Sequence, residues 1–244
     1  MHHAPPRGRN WFTAGALAAV ILATTACGGV ISATRQPTSD AVPGGSAGST
    51  AGYAKAADLL AALPVKGRAP KTGYDREEFG PAWSDTDHNG CDTRNDILAR
   101  DLKRTTFKPG TKDCIVLTGS LADPYTATTI AFTRGNKTSS AVQIDHVVAL
   151  SDAWQKGAQG LSKAQRTAFA NDPLNLLAVS GPANQQKSDG DAATWLPGSR
   201  AYRCPYVARQ ISVKAKYKLW VTQAERTAMA TVLAQCGGTV AGSK

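Results

Sequence analysis

No two of the five cysteines in this chain are spaced C-x-x-C, which removes a zinc knuckle and a thioredoxin-like redox pair from consideration. After the N-terminal leader no apolar run approaches the ~20 residues that a membrane-spanning helix needs. No segment repeats, so solenoids and propellers are excluded, and no base-reading motif is present to give sequence specificity. From Gly28 to Gly52 large apolar residues are almost missing, and Gly, Ser, Thr, Ala and Pro dominate. Such a stretch cannot offset its ordering entropy and reads as a flexible tether over 28–52.

What the chain does contain begins with an export signal. Arg7 and Arg9 precede an apolar run from Trp11 to Ala23 that is too short to span a bilayer, so residues 1–27 read as a signal peptide. The run ends in Leu22, Ala23, Thr24, Thr25, Ala26 and Cys27, which looks like a lipoprotein processing site with Cys27 as the lipidated residue. Ordinary cleavage near Ala26 is the alternative. Setting Cys27 aside leaves Cys91, Cys114, Cys204 and Cys236, an even set that predicts two disulfides in an oxidising compartment. The expected location is therefore outside the cytoplasm, on the envelope through a lipid anchor or secreted.

The formal net charge is +10, and removing Arg7 and Arg9 leaves 26 basic against 18 acidic residues, or +8. An exported basic domain favours polyanions, meaning nucleic acid, wall polymers or anionic headgroups. Residues 53–244 suit one domain. Tyr53 to Leu63 predicts a short helix stopped by Pro64, and Thr93 with Asp96 predicts a capped helix carrying Ile97, Leu98 and Leu102. Cys114–Leu117 and Thr126–Phe132 read as strands joined by a turn at Asp123-Pro124, and a Cys91–Cys114 bridge would tie the helix start to the first of them. Val207, Ile211, Ala215 and Leu219 form one stripe of a helix from Cys204. Thr222 with Glu225 is a capping box that opens a second helix, running to Cys236. Two helices of similar length joined by a short turn pack antiparallel, which brings Cys204 beside Cys236 and predicts that bridge.

The chemistry gathers between Val142 and Asp189. Val142 and Ile144 alternate with polar residues, so a strand delivers Asp145 and His146 to its end. Ser151 to Ala170 predicts a helix, Leu174 to Val179 a second strand, and Ala183 to Lys187 the start of another helix. Asp145 and Asn184 supply hard oxygen ligands suited to Mg²⁺ or Mn²⁺, and His146 has the range of a general base for attack of water on a phosphodiester. Taken singly, an Asp-His pair is more often a surface pair or a satisfied core histidine. Arg94 at a helix start could clamp a scissile phosphate or pair with a nearby Asp. Lys187 could touch a nucleic-acid backbone or be merely solvated. Asp85, Asp87, Asn89 and Asp96 fit the spacing of a calcium loop, with Asp in the last place and no proper entering helix, so a structural Ca²⁺ is a separate expectation.

The residues Ile144-Asp145-His146-Val147-Val148, Leu174-Asn175-Leu176-Leu177 and Asn184 to Asp189 resemble the ββα-metal, or HNH, endonuclease family, in the variant whose last metal ligand is asparagine. The pattern from Tyr74 to Cys236, including Gly90-Cys91-Asp92-Thr93-Arg94-Asn95 and Asp123-Pro124-Tyr125, also resembles exported bacterial members. The resemblance implies an α+β fold with a ββα-metal core, added strands and a C-terminal antiparallel helix pair. It implies Asp145 and Asn184 as metal ligands, His146 as base and Asn175 as the brace of the loop carrying the base. It implies nucleic acid as partner, DNA ahead of RNA. The competing readings are a non-catalytic polyanion-binding envelope lipoprotein and a ribonuclease or other phosphodiesterase with the same site.

Overall fold

A computed structural model describes Thr50–Gly237, and the expected signal peptide, Cys27 and the expected tether up to residue 49 lie outside the described residues. Helix α1 spans Thr50–Ala62, so the helix begins three residues before the domain boundary expected at 53. A 3-10 turn at Arg76–Phe79 follows a long loop. Helix α2 (Thr93–Asp101) is capped by Asp92, whose carboxylate accepts from the Asn95 amide, in place of the expected Thr93 cap. The chain then passes into β1 (Leu102–Phe107), β2 (Val116–Ala122) and β3 (Thr129–Thr133), an antiparallel sheet in that order. Leu102, expected on the helix, is the first residue of β1 and pairs with Leu121.

β4 (Val142–His146) and β5 (Leu176–Ser180) form a separate antiparallel ribbon with Ile144 opposite Ala178 and His146 opposite Leu176. Between them the single expected helix is two: α3 (Leu150–Trp154) and α4 (Lys163–Ala170). The break is local chemistry. Gly157 takes a φ of 119°, which ends the first helix, and Ser162 with Gln165 makes a reciprocal capping box that starts the second. Helix α5 (Gly181–Lys187) leaves β5 directly, with the Ser180 hydroxyl capping it and Pro182 in its first turn. A Cβ on Gly181 would lie 2.0 Å from the Ser140 carbonyl oxygen, so only glycine lets the helix start this close to the neighbouring chain.

β5 is buried along its whole length because each face of the ribbon meets a different core. Val142, Ile144, Leu176 and Ala178 pack on α2 and the three-stranded sheet through Ile97, Leu98, Leu121 and Phe132. Leu177 and Val179 pack on α6 (Arg203–Lys216) and α7 (Gln223–Leu233) through Val207, Ile211 and Met229. Backbone groups of the ribbon that the ladder leaves over are taken by side chains. Asp101 accepts from the Ala178 amide, Arg100 and Arg209 donate to the Leu176 carbonyl, and Asp123 accepts from the Ser180 amide.

Cys91–Cys114 and Cys204–Cys236 are both bonded. The second joins the first turn of α6 to the end of α7 across 32 residues, as expected for an antiparallel pair. Replacing Cys204 and Cys236 with serine should lower the free energy of unfolding by about 3–4 kcal/mol in a denaturant titration, the loop-entropy value for that separation. A loss below about 1 kcal/mol would show that the bridge constrains little of the unfolded chain.

Candidate active site

Strand alternation separates the two members of the Asp-His pair. Gln143 and Asp145 face α5 and the α6–α7 side of the ribbon, while His146 shares the face of Ile144 at the strand end. Asp145 is 4% exposed. Its Oδ1 accepts from the Lys187 ammonium at 2.9 Å and its Oδ2 from the Tyr125 hydroxyl at 2.5 Å. Burial raises its carboxyl above the ordinary value, opposed by Lys187 and by the hydrogen bonds from Tyr125 and Lys187.

Lys187 is thus buried, with its ammonium also donating to the His146 carbonyl at 2.9 Å. In place of a solvated contact to nucleic acid, it ties both residues of the pair to α5. One turn earlier on the same helix, Asn184 is half-buried and its amide donates to Gln143 Oε1 at 2.9 Å. Its side-chain Oδ1 has no hydrogen-bond donor among the described residues.

The His146 imidazole reaches the carbonyl of Ala170 through Nε2 at 2.8 Å. A carbonyl only accepts, so Nε2 carries the proton and Nδ1 keeps its lone pair. Burial lowers the His146 pKa to about 4, more than the Ala170 carbonyl restores, and the charges of Arg76 and Lys187 lower it further. The ring is neutral at physiological pH. It forms part of the wall of a cavity of about 230 Å³ with Trp83, Phe79, Leu150 and Asn171.

Asn175 is fully buried and clamps the segment that follows His146. Its Oδ1 accepts from the Val148 amide at 2.8 Å, its Nδ2 donates to the Val148 carbonyl at 3.3 Å, and its own carbonyl accepts from Val147. Arg94 lies elsewhere, with its guanidinium donating to the Val142 carbonyl at 3.4 Å, four residues up the strand from His146. Four residues of strand are about 13 Å, so Arg94 is not beside the imidazole.

The loop of Asp85, Asp87, Asn89 and Asp96 converges through Asn89, whose amide nitrogen donates to Asp87 and Asp96 and whose backbone N–H reaches Asp85 and Asp87. Among the described residues no three His, Cys, Asp or Glu side chains form a group that could hold a metal ion. The Asp145–Asn184 pair offers oxygen donors alone, the chemistry of Mg²⁺ or Mn²⁺. Both Asp145 oxygens are engaged, by the Lys187 ammonium and the Tyr125 hydroxyl, so an ion at Asp145 would have to displace or share these contacts. The donor types fit the metal, and the Lys187 ammonium opposes it.

Tyr125 and Asp123 were not singled out by residue chemistry, yet both hold the ribbon. They belong to a turn pinned by four contacts to Asp123, from the Tyr125, Thr126 and Ser180 amides and the Thr126 hydroxyl. The only sequence signal was the Asp-Pro-Tyr run.

Residues 92–232 match the family described as GmrSD restriction endonucleases, C-terminal domain. That match spans more than half of the chain and contains α2, the sheet, the ribbon and α5, and this chain belongs to that family. An uncharacterized secreted protein of Arthroderma benhamiae is 38% identical over 183 residues, covering 74% of this chain and 84% of that protein. No solved structure matches.

Proposed function

We propose that this protein is an exported, metal-dependent HNH endonuclease that hydrolyses phosphodiester bonds of nucleic acid with His146 as general base. The observation that carries the reading is the His146 imidazole held by its Nε2–H on Ala170, with Nδ1 free to accept a proton from water. Family membership supplies the reaction class. The order β4, β5, α5 supports the reading of a ββα-metal core, in which Asp145 lies on the first strand and Asn184 on the helix.

Asp145 and Asn184 would hold Mg²⁺ or Mn²⁺, which when bound supplies Lewis-acid charge at the phosphate oxygens. The rest is done by the chain itself. Asn175 fixes the turn after the base, Lys187 fixes the backbone of the base and the carboxylate before it, and Tyr125 holds the far carboxylate oxygen. Export is supported by the secreted description of the Arthroderma relative and by two disulfides, which persist in oxidising compartments. Anchoring through a lipidated Cys27 belongs to the same proposal.

The test is purified protein on plasmid DNA and on RNA with Mg²⁺, Mn²⁺ or EDTA. Cleavage that needs the ion supports the reading, and the substrate that is cut decides between DNA and RNA. Salt-sensitive binding that ignores both EDTA and His146, without cleavage, would instead mark a polyanion-binding envelope protein.

A structural Ca²⁺ at Asp85, Asp87, Asn89 and Asp96 is proposed separately. Binding requires the Asn89 amide to turn its oxygen toward the ion, and saturating Ca²⁺ then raises the thermal midpoint through preferential binding to the folded state. An unchanged midpoint rejects the site.

A further inference from the structure

We infer that the cavity beside His146 is a nucleobase subsite, so that the protein takes its substrate as an unpaired strand. This rests on the nuclease reading above for where the scissile phosphate lies. The recess holds about 230 Å³, several times the ~30 Å³ share of one water and below the ~300–1,000 Å³ of drug-sized pockets. It suits one planar ring system.

Trp83 supplies the stacking surface. Its indole lies almost parallel to the His146 ring, with centroids 6.0 Å apart and planes 14° apart. It is half-buried at the edge of the core cluster that contains Ile144 and Leu176, so part of the ring stays available. Its backbone has a φ of 58°, a left-handed conformation that a bulky side chain rarely adopts. Such an outlier survives only where its surroundings over-determine it, and these positions cluster at ligand clamps. Here the surroundings are named: Ser84 donates to the Pro81 carbonyl at 3.1 Å, and Thr93 donates to the Ser84 carbonyl.

Arg76 lies at the same recess, exposed and without an ion pair or side-chain hydrogen bond among the described residues. Its charge reaches the His146 ring, which places it to meet a backbone phosphate next to the inserted base. A base in a duplex is stacked inside it and cannot enter a recess in a protein wall without being unpaired. Stacking on an aromatic face accepts any base, consistent with a chain that carries no base-reading motif.

The experiment measures binding of the full chain by fluorescence anisotropy in EDTA, which separates the subsite from catalysis. The probes are a short oligothymidylate, its duplex with oligoadenylate and an abasic oligomer of the same length. The wild type should bind the single strand more tightly than the duplex or the abasic strand. Trp83→Gly suits the positive φ and removes the ring, and should weaken single-strand binding by about 5- to 150-fold, the range of one lost base–aromatic stack. Trp83→Phe should restore most of it, and Trp83→Leu, which keeps bulk without a π-face, should not.

Equal affinity of wild type for thymidylate and abasic strands, or equal loss on all three probes in Trp83→Gly, overturns the subsite. If the Trp83 dependence holds and no nucleic acid is cleaved, the nuclease reading fails and the subsite stands. If cleavage holds without the Trp83 dependence, the reverse is true.

Discussion

Replacing His146 with alanine is expected to lower metal-dependent cleavage of the nucleic acid that the wild type cuts by two to four orders of magnitude, the usual contribution of a positioned general base. The side chain has one hydrogen bond, to the Ala170 carbonyl, and lies half-buried at the end of β4. Its removal therefore costs one neutral hydrogen bond, about 0.5–1.5 kcal/mol, and some contact with Trp83. The ladder of the ribbon, the Asn175 clamp and the Lys187 bonds do not use the imidazole, so the thermal transition should persist. His146→Asn is the companion variant, since it keeps a polar side chain at the position without a basic nitrogen. Cleavage by His146→Ala at the wild-type rate would sink the assignment of the base.

The same variant separates the base from its support. Asn175→Ala removes both hydrogen bonds to Val148 from a fully buried position, so it should lower stability as well as activity. A change mainly in activity in His146→Ala, and one shared between activity and stability in Asn175→Ala, is the pattern that the two environments dictate.

The ribbon could be read from Val142 and Ile144 alternating with polar neighbours, and from the apolar run after Asn175, because one strand faces a core on one side and the other on both. The α6–α7 pair and its bridge followed from a helical stripe and a short turn. Strand β1 could not be read. Lys103, Arg104, Thr105 and Thr106 have no apolar alternation, and the preceding helical period runs into Leu102 without a break. What makes β1 a strand is its partner β2, a tertiary choice that a local window does not contain.

The site was half visible for a related reason. Residue types give His146, Asp145 and the asparagines, but Lys187 looks like a solvated lysine until α5 folds it under the ribbon. Glu225 is the sharper case. Thr222 does cap α7 by accepting from the Glu225 amide, yet the Glu225 carboxylate does not return to complete the expected box. It turns inward, where Lys156 and Lys214 meet it at 2.6 and 2.9 Å. A buried pair of cations from elsewhere in the sequence outcompetes a local hydrogen bond to the amide of the half-buried Thr222.

That buried cluster gives the largest expected effect on stability, and Lys156 is its hub. Its ammonium is fully buried and lies 2.7 Å from Asp152, 2.7 Å from Asp191 and 2.6 Å from Glu225. Lys214 adds contacts to Asp152 and Glu225, and Arg68 to Asp152 and Asp191, so three cations face three carboxylates. Burial pushes the Asp152 carboxyl up, but Lys214 and Lys156 outweigh it and hold it below the usual range. Asp191 is depressed in the same way by Lys156 and Arg68. Burial pushes Lys214 down, and Asp152 and Glu225 outweigh that and hold it above the usual range.

Depressed carboxyls contribute stability that is present above their unfolded pKa of about 4 and is lost as pH falls through the folded values. The raised Lys214 contributes stability present below about 10.4 and lost as pH rises through its folded value. The cluster is therefore fully effective across neutral pH. Lys156→Met keeps the volume and leaves three buried carboxylates facing two cations, which should cost about 3–5 kcal/mol at pH 7. For a domain of this size that is a fall in thermal midpoint of roughly 6–20 °C. Adding Glu225→Gln removes one of the stranded charges and should recover part of the loss, and the single variant's deficit should shrink below about pH 4 as its carboxylates take up protons. A Lys156→Met midpoint within about 2 °C of wild type at pH 7 would mean that the carboxylates find solvent or protons without the lysine, and that the cluster does not hold α3, α6 and α7 together.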